Sequence, residues 1–85
     1  MNGEWGTPRL ITDTQTLKKQ PGAVLGFYVN STTGGTVVLH DSTAADNAIS
    51  GTITPAIGFH RFPAALVNGL HVVVANTISV TFFTQ

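Results

Sequence analysis

The sequence predicts an all-β fold, a small antiparallel β-sandwich with the jelly roll among its forms, carrying an N-terminal arm. Three observations predict it. Apolar residues recur at every second position, as Leu70, Val72 and Val74 and again as Ile78, Val80 and Phe82, which is the period of a half-buried strand. The runs are rich in β-branched and aromatic residues. Gly, Pro, Asn and Asp interrupt them at roughly ten-residue spacing, as in small β-domains.

The first 20 residues read as an arm or an edge strand, and residues 21–85 as the β-domain. Five of the eight charged residues, Glu4, Arg9, Asp13, Lys18 and Lys19, fall in that first segment. Within it, Arg9 to Thr12 is a short strand that would add to a sheet edge and satisfy its free backbone groups. Gly22 to Asn30 is a strand, and Thr36 to His40 another. The Gly34-Gly35 pair between them supplies the positive φ of a hairpin turn. Asp41 to Ala48 is polar and short-chained and reads as a loop. Ile49 to Thr54 alternates and stops at Pro55, which suits an edge strand. Gly58 to Phe62 is a further short strand, Pro63 to Asn68 a helical turn, and Asn68-Gly69 a turn. Gly69 to Ala75 and Thr77 to Thr84 then pair as a hairpin turning at Asn76, at the centre of the fold.

Composition bears on function by exclusion and by need. Four basic and four acidic residues leave the net charge at zero, so no field draws the protein to nucleic acid or to an anionic membrane. No apolar run approaches the roughly 18 residues of a membrane span. Met1 to Thr7 lacks the apolar core of a signal peptide, which predicts synthesis in a cytoplasm. The Asn30-Ser31-Thr32 glycosylation pattern would need a secretory route. A domain of 85 residues buries only about 60% of the surface its unfolded chain exposes. With no cysteine and with charged residues at 9% of the chain, oligomerisation is the expected support.

The chemistry of catalysis is thinly supplied. His40-Asp41-Ser42 places base, acid and hydroxyl in a row, but neighbours on a strand point to opposite faces and form no relay. Asp41 reads instead as a turn residue whose carboxylate caps backbone amides. His40, His60 and His71 would make a three-histidine metal site if their rings met. Their spacing does not demand it, since none has a histidine partner at i+2 or i+4, so the plainer reading is three half-buried strand residues, each bonded through one ring nitrogen, or one of them lining a symmetry axis. Gly34-Gly35 lacks the Lys-Ser/Thr and the helix of a phosphate loop. The expectation is therefore no enzyme, no cofactor and no metal.

Aromatic pairs point outward as well as inward. Phe27 and Tyr28 are consecutive, as are Phe82 and Phe83, so one of each pair faces away from the core. In the Leu70 strand, His71 and Val73 occupy the second face. Trp5, Arg9, Tyr28, His71, Val73 and Phe83 are accordingly the candidate residues for contacts with another copy or a partner. A stacking platform for sugars is the alternative use of such aromatics.

From Pro21 onward the chain resembles small virion structural proteins of tailed bacteriophages and prophages, of the capsid decoration (cement) or head-fibre type. The resemblance rests on Pro21-Gly22 with its Gly26-Phe27-Tyr28-Val29-Asn30 strand, on Gly35-Thr36-Val37-Val38-Leu39 leading into Asp41, on Gly58-Phe59-His60, and on Asn68-Gly69-Leu70 with the strands after it. It implies a β-fold assembled around a threefold axis, hence a homotrimer. It further implies an arm engaging the major capsid protein or another virion protein, and a place in the virion after assembly in a bacterial cytoplasm. The function expected from it is stabilisation of the head shell, with a carbohydrate- or surface-binding module of a fibre or tail as the alternative. The fold class itself has a simple check: far-ultraviolet circular dichroism should show a strand spectrum, with helix well below about a quarter of the residues.

Overall fold

The structure, a computed structural model, describes residues 7–85. These form five strands: β1 (Thr7–Ile11), β2 (Gln15–Lys18), β3 (Gly22–His40), β4 (Gly58–Leu66) and β5 (Leu70–Thr84). All join one antiparallel sheet in the order β1-β5-β3-β4, with β2 also pairing β5. Among the described residues there is no helix, and so none long and apolar enough to cross a membrane. The all-β expectation is met, by one continuous sheet.

The alternation that marks Leu70 to Phe82 continues through Asn76 in an unbroken period of two, and β5 follows it as a single strand. It is the central strand, pairing β3 along one side and β1 with β2 along the other. β3 is likewise a single strand of 19 residues. Over their shared length β3 runs from Val24 to His40, sixteen steps, while β5 runs from Thr84 to His71, thirteen steps. The three surplus residues sit at three register shifts, at Val24/Gly26, Val29/Ser31 and Thr33/Gly34. Bulges bend and twist the strand that carries them.

The bend is sharpest midway. Gly34 has φ 65° and Asn76 φ 62°, both in the left-handed region that few side chains tolerate. The Asn76 side-chain amide donates to the Gly34 carbonyl at 3.0 Å, so the two strands turn together. The edge strands confirm how tight the turn is. Ile11 pairs with Val80 and Gln15 with Val72, so four residue steps, at most about 14 Å of chain, span eight steps of β5. Thr14 sits on this short cut, and its hydroxyl takes the place of a strand, accepting from the Val74 amide at 2.9 Å and lying 3.3 Å from its carbonyl.

Folded in this way, the sheet buries its own apolar face. One half brings Ile11, Val24, Phe27, Val29, Val80 and Phe82 to the core, and the other brings Leu17, Val37, Leu39, Leu70 and Val72, all within one buried cluster. Phe27 and Phe82, ladder partners on β3 and β5, meet at a tilt with centroids 5.1 Å apart. Truncating either to alanine removes about 3–5 kcal/mol, the usual cost for a buried phenylalanine.

Four expectations are corrected. Gly69 to Thr84 is no hairpin, because β5 runs on through Asn76 and pairs with β3 both before and after it. Gly34-Gly35 likewise bends β3 and does not reverse it. Pro63 to Asn68 is no helical turn: β4 runs on to Leu66, and Pro63 lies on a sheet edge at a register shift, where no ladder bond is required of it. Ile49 to Thr54 is not a full strand: it meets β3 through one isolated bridge, Val37 to Ile53, with a second, His40 to Ala48, just before it. Residues 7–20, expected as an arm or an edge strand, carry β1 and β2 beside β5 and place Ile11 and Leu17 in the core.

The bend makes a testable demand on Asn76. Asn76→Val should lower stability by about 1–3 kcal/mol, the left-handed cost of a β-branched residue plus a lost hydrogen bond, whereas Asn76→Gly should change it by less than about 1 kcal/mol. Urea unfolding of the two variants beside the parent chain measures the difference.

Candidate interaction surface

Pairing register places one transverse row of side chains on the convex face of the half built from β1, β5, β3 and β4. Leu10 pairs with Thr81, Thr81 with Tyr28, and Tyr28 with Phe59. With strands about 4.8 Å apart the row is about 14 Å wide. Leu10 is 63% exposed, Tyr28 43% and Phe59 58%. The next row of the same face is Pro8, Phe83, Gly26 and Arg61. Phe83 and Phe59 meet edge to face with centroids 6.1 Å apart. Gly26 lies beneath them because a Cβ there would come within 2.6 Å of the His60 carbonyl oxygen and 3.0 Å of the Phe59 ring. Polar groups surround the patch: Asn30 donates to the Thr81 hydroxyl at 3.1 Å, and Arg61 is exposed.

The convex face of the other half carries Val38, His40, His71 and Val73, paired as Val38 with Val73 and His40 with His71. Here the 41–47 segment closes over the strands. Thr16 on β2 bonds both the His71 ring and the Thr43 carbonyl, and the Asp46 carbonyl bonds the His40 ring.

Of the expected contact residues, Tyr28 and Phe83 thus share one face, while His71 and Val73 share the other. Arg9 stands exposed at the β1 edge with its guanidinium 3.5 Å from the Leu17 carbonyl, tying the two halves. Trp5 lies outside the described residues. Leu10 is a member of the row that the sequence did not single out. Its signal was present in the register, since an edge strand ending at Ile11 in the core must present Leu10 to the other side. His60 stands apart from the other two histidines, stacked on Phe27 at 5.3 Å and bonded to the Ala56 carbonyl at 2.7 Å.

Asp41 caps amides as expected, but those of a distant turn. Its buried carboxylate accepts from the backbone N–H of Val67 at 3.1 Å, Asn68 at 2.9 Å and Gly69 at 3.3 Å, the connection from β4 to β5. Its carbonyl accepts from the side chains of Asn47 and Asn68. The local turn is held instead by Ser42, whose hydroxyl accepts from the Ala44 amide. With Asp41 fully engaged and His40 bonded to Asp46, the adjacent His-Asp-Ser triplet forms no relay. Among the described residues no three of His, Cys, Asp and Glu gather as a metal site.

No protein-family model matches the sequence, and no curated protein or solved structure is significantly similar to it.

The amides of Asn68 and then Val67, joined by Gly69, hold the Asp41 carboxyl below its ordinary pKa of 3.8 against the opposing effect of burial. A carboxylate whose folded-state pKa is depressed contributes stability above its unfolded value and loses it as pH falls through the folded one. Stability should therefore fall with acidification below about pH 4. Asp41→Asn should be less stable at neutral pH and show a flatter acid limb, both read from urea midpoints between pH 7 and pH 2.

Proposed function

We propose that this protein is a non-enzymatic structural module that works by assembling with copies of itself, through the convex face bearing Leu10, Tyr28, Phe59 and Phe83. The observation that carries the proposal is the apolar row across four strands. Large aromatic side chains left on a rigid surface and ringed by polar groups are the usual centre of a protein contact. Low charge and small size add to it, since both are relieved when surface is covered by a neighbour. Closed cyclic symmetry is the common way for one such patch to be satisfied in every copy.

The resemblance to phage decoration proteins supplies the setting: a trimer on the head shell, bound to the major capsid protein or to another virion protein, which it stabilises. A second reading is favoured by the make-up of the same patch. Tyr28, Phe59 and Phe83 with Asn30 and Arg61 beside them would also suit a carbohydrate, whose ring faces stack on aromatics while its hydroxyls bond polar neighbours.

Light scattering at micromolar concentration decides first, because an assembly must exceed the 8.9 kDa chain mass by an integral factor. Tyr28→Lys and Phe59→Asp should each reduce it to single chains with an unchanged circular dichroism spectrum. A parent protein that is monomeric under these conditions removes the reading. Binding to a glycan array that these two substitutions abolish would put the second reading in its place.

A further inference from the structure

His40 and His71 stand opposite each other on β3 and β5, with ring centroids 6.0 Å apart and ring planes at 61°. Each is held by its Nδ1. For His71 that nitrogen lies 2.8 Å from the Thr16 hydroxyl, which lies 3.2 Å from the Thr43 carbonyl oxygen. The carbonyl can only accept, so the one hydroxyl proton goes to it, and the hydroxyl accepts from the His71 Nδ1–H. His40 Nδ1 lies 3.1 Å from the Asp46 carbonyl. This oxygen also only accepts, so the proton is again on Nδ1. In its neutral form each ring therefore presents an unprotonated Nε2.

The anchors also set direction. Thr16 is the partner of His71 on the β2 side, and Asp46 lies beside Ala48, the partner of His40 on the opposite side. The two Nδ1 atoms thus pull away from each other. The Nε2 atoms, on the far side of each ring, turn toward the space between the strands. His40 is 7% exposed, and its Nε2 is buried with no hydrogen-bond partner. A buried acceptor left in this way wants a donor or an electrophile.

We propose that His40 and His71 bind a late first-row transition-metal ion through their Nε2 atoms, Cu²⁺ ahead of Zn²⁺, with water completing the coordination. An imidazole that donates Nδ1–H to an oxygen while offering Nε2 is the form in which histidine binds metals, and the oxygen fixes its orientation. The spacing fits. A metal–nitrogen bond of about 2.0–2.1 Å places the ion about 3.2 Å from each ring centroid, so centroids 6.0 Å apart correspond to an N–metal–N angle of about 140°, which a ring movement of about 0.4 Å opens to the linear trans arrangement of a tetragonal Cu²⁺ site. Imidazole nitrogen selects copper, zinc or nickel over magnesium or calcium, and among these copper stands highest. His71 is only half-buried, which leaves the ion a way in. The site lies on the opposite half of the sheet from the apolar row and does not depend on the assembly proposed above.

Calorimetric titration of the metal-free chain with CuCl₂, ZnCl₂ and MgCl₂, together with the histidine ring resonances in the ¹H NMR spectrum (using diamagnetic Zn²⁺), tests the site. One Cu²⁺ per chain is expected, with weaker Zn²⁺ and no Mg²⁺, and with Zn²⁺ moving the resonances of two histidines while His60 stays in place. His71→Gln spares the core and should weaken Cu²⁺ by more than tenfold. Thr16→Val, which removes the oxygen holding the ring, should weaken it by about tenfold. His60→Gln should leave it unchanged. Absence of saturable Cu²⁺ binding up to millimolar metal overturns the proposal. Binding that survives His71→Gln, or that is lost with His60→Gln, overturns it equally.

Discussion

A sheet with one apolar face and, among the described residues, no helix to cover it must cover itself. That constraint governs this molecule. The core residues of β3 and β5 all fall on one side of a single sheet, and exposing that side would forfeit the hydrophobic stabilisation on which so small a domain depends. The sheet therefore folds across its two longest strands. Gly34 and Asn76 provide the backbone freedom at one level, the bulges of β3 absorb its longer path, and the edge is split into β1 and β2 because one straight strand could not follow the corner. Even the Thr14 hydroxyl belongs to this solution, since it satisfies the Val74 backbone where the edge strand is interrupted.

Folding the sheet gives its convex side two separate surfaces. Both surfaces are made of strand residues, whose positions are fixed by the ladder, and such positions hold a contact geometry better than loops do. One surface is aromatic and open. The other is apolar and imidazole-bearing, and is partly closed by the 41–47 segment. That segment is itself secured from below, since Asp41 gathers the β4–β5 connection while Asn47 bonds back to the Asp41 carbonyl. A single buried carboxylate thus ties the cover of the histidine pair to the entry of the central strand.

The all-β class and the inward residues of β5 were legible because alternation is a direct imprint of the pleat. The connectivity was not. Asn76 and Gly34 carry the backbone signature shared by hairpin turns and strand bends, and periodicity reads the same on either side of both. One clue argued against a type I′ turn at Asn76: the next residue is Thr77, and a β-branched side chain does not take the second left-handed position that this turn requires. Asp41 was legible as a cap but not as the cap of residues 67–69, since nothing local encodes a partner 26 to 28 residues away. Tyr28 and Phe83 could be placed outward by parity alone. Their union with Leu10 and Phe59, and the meeting of His40 with His71, depend on register between strands, which a single strand does not record.

The joining of β3 to β5 also bears on how the chain reaches this state. Its nearest paired residues, His40 and His71, are 31 positions apart, and Val24 and Thr84 are 60 apart. The corrected hairpins would have formed locally, within microseconds. In their absence the central ladder can begin only after a long loop has closed, and closure must be met before any pairing repays it. Such topologies fold in milliseconds to seconds, and for that interval β5 would present both of its edges, each an invitation to another chain. A protein that assembles with its own copies, as proposed above, would then have the pace of its own folding as its first risk of pairing with the wrong one.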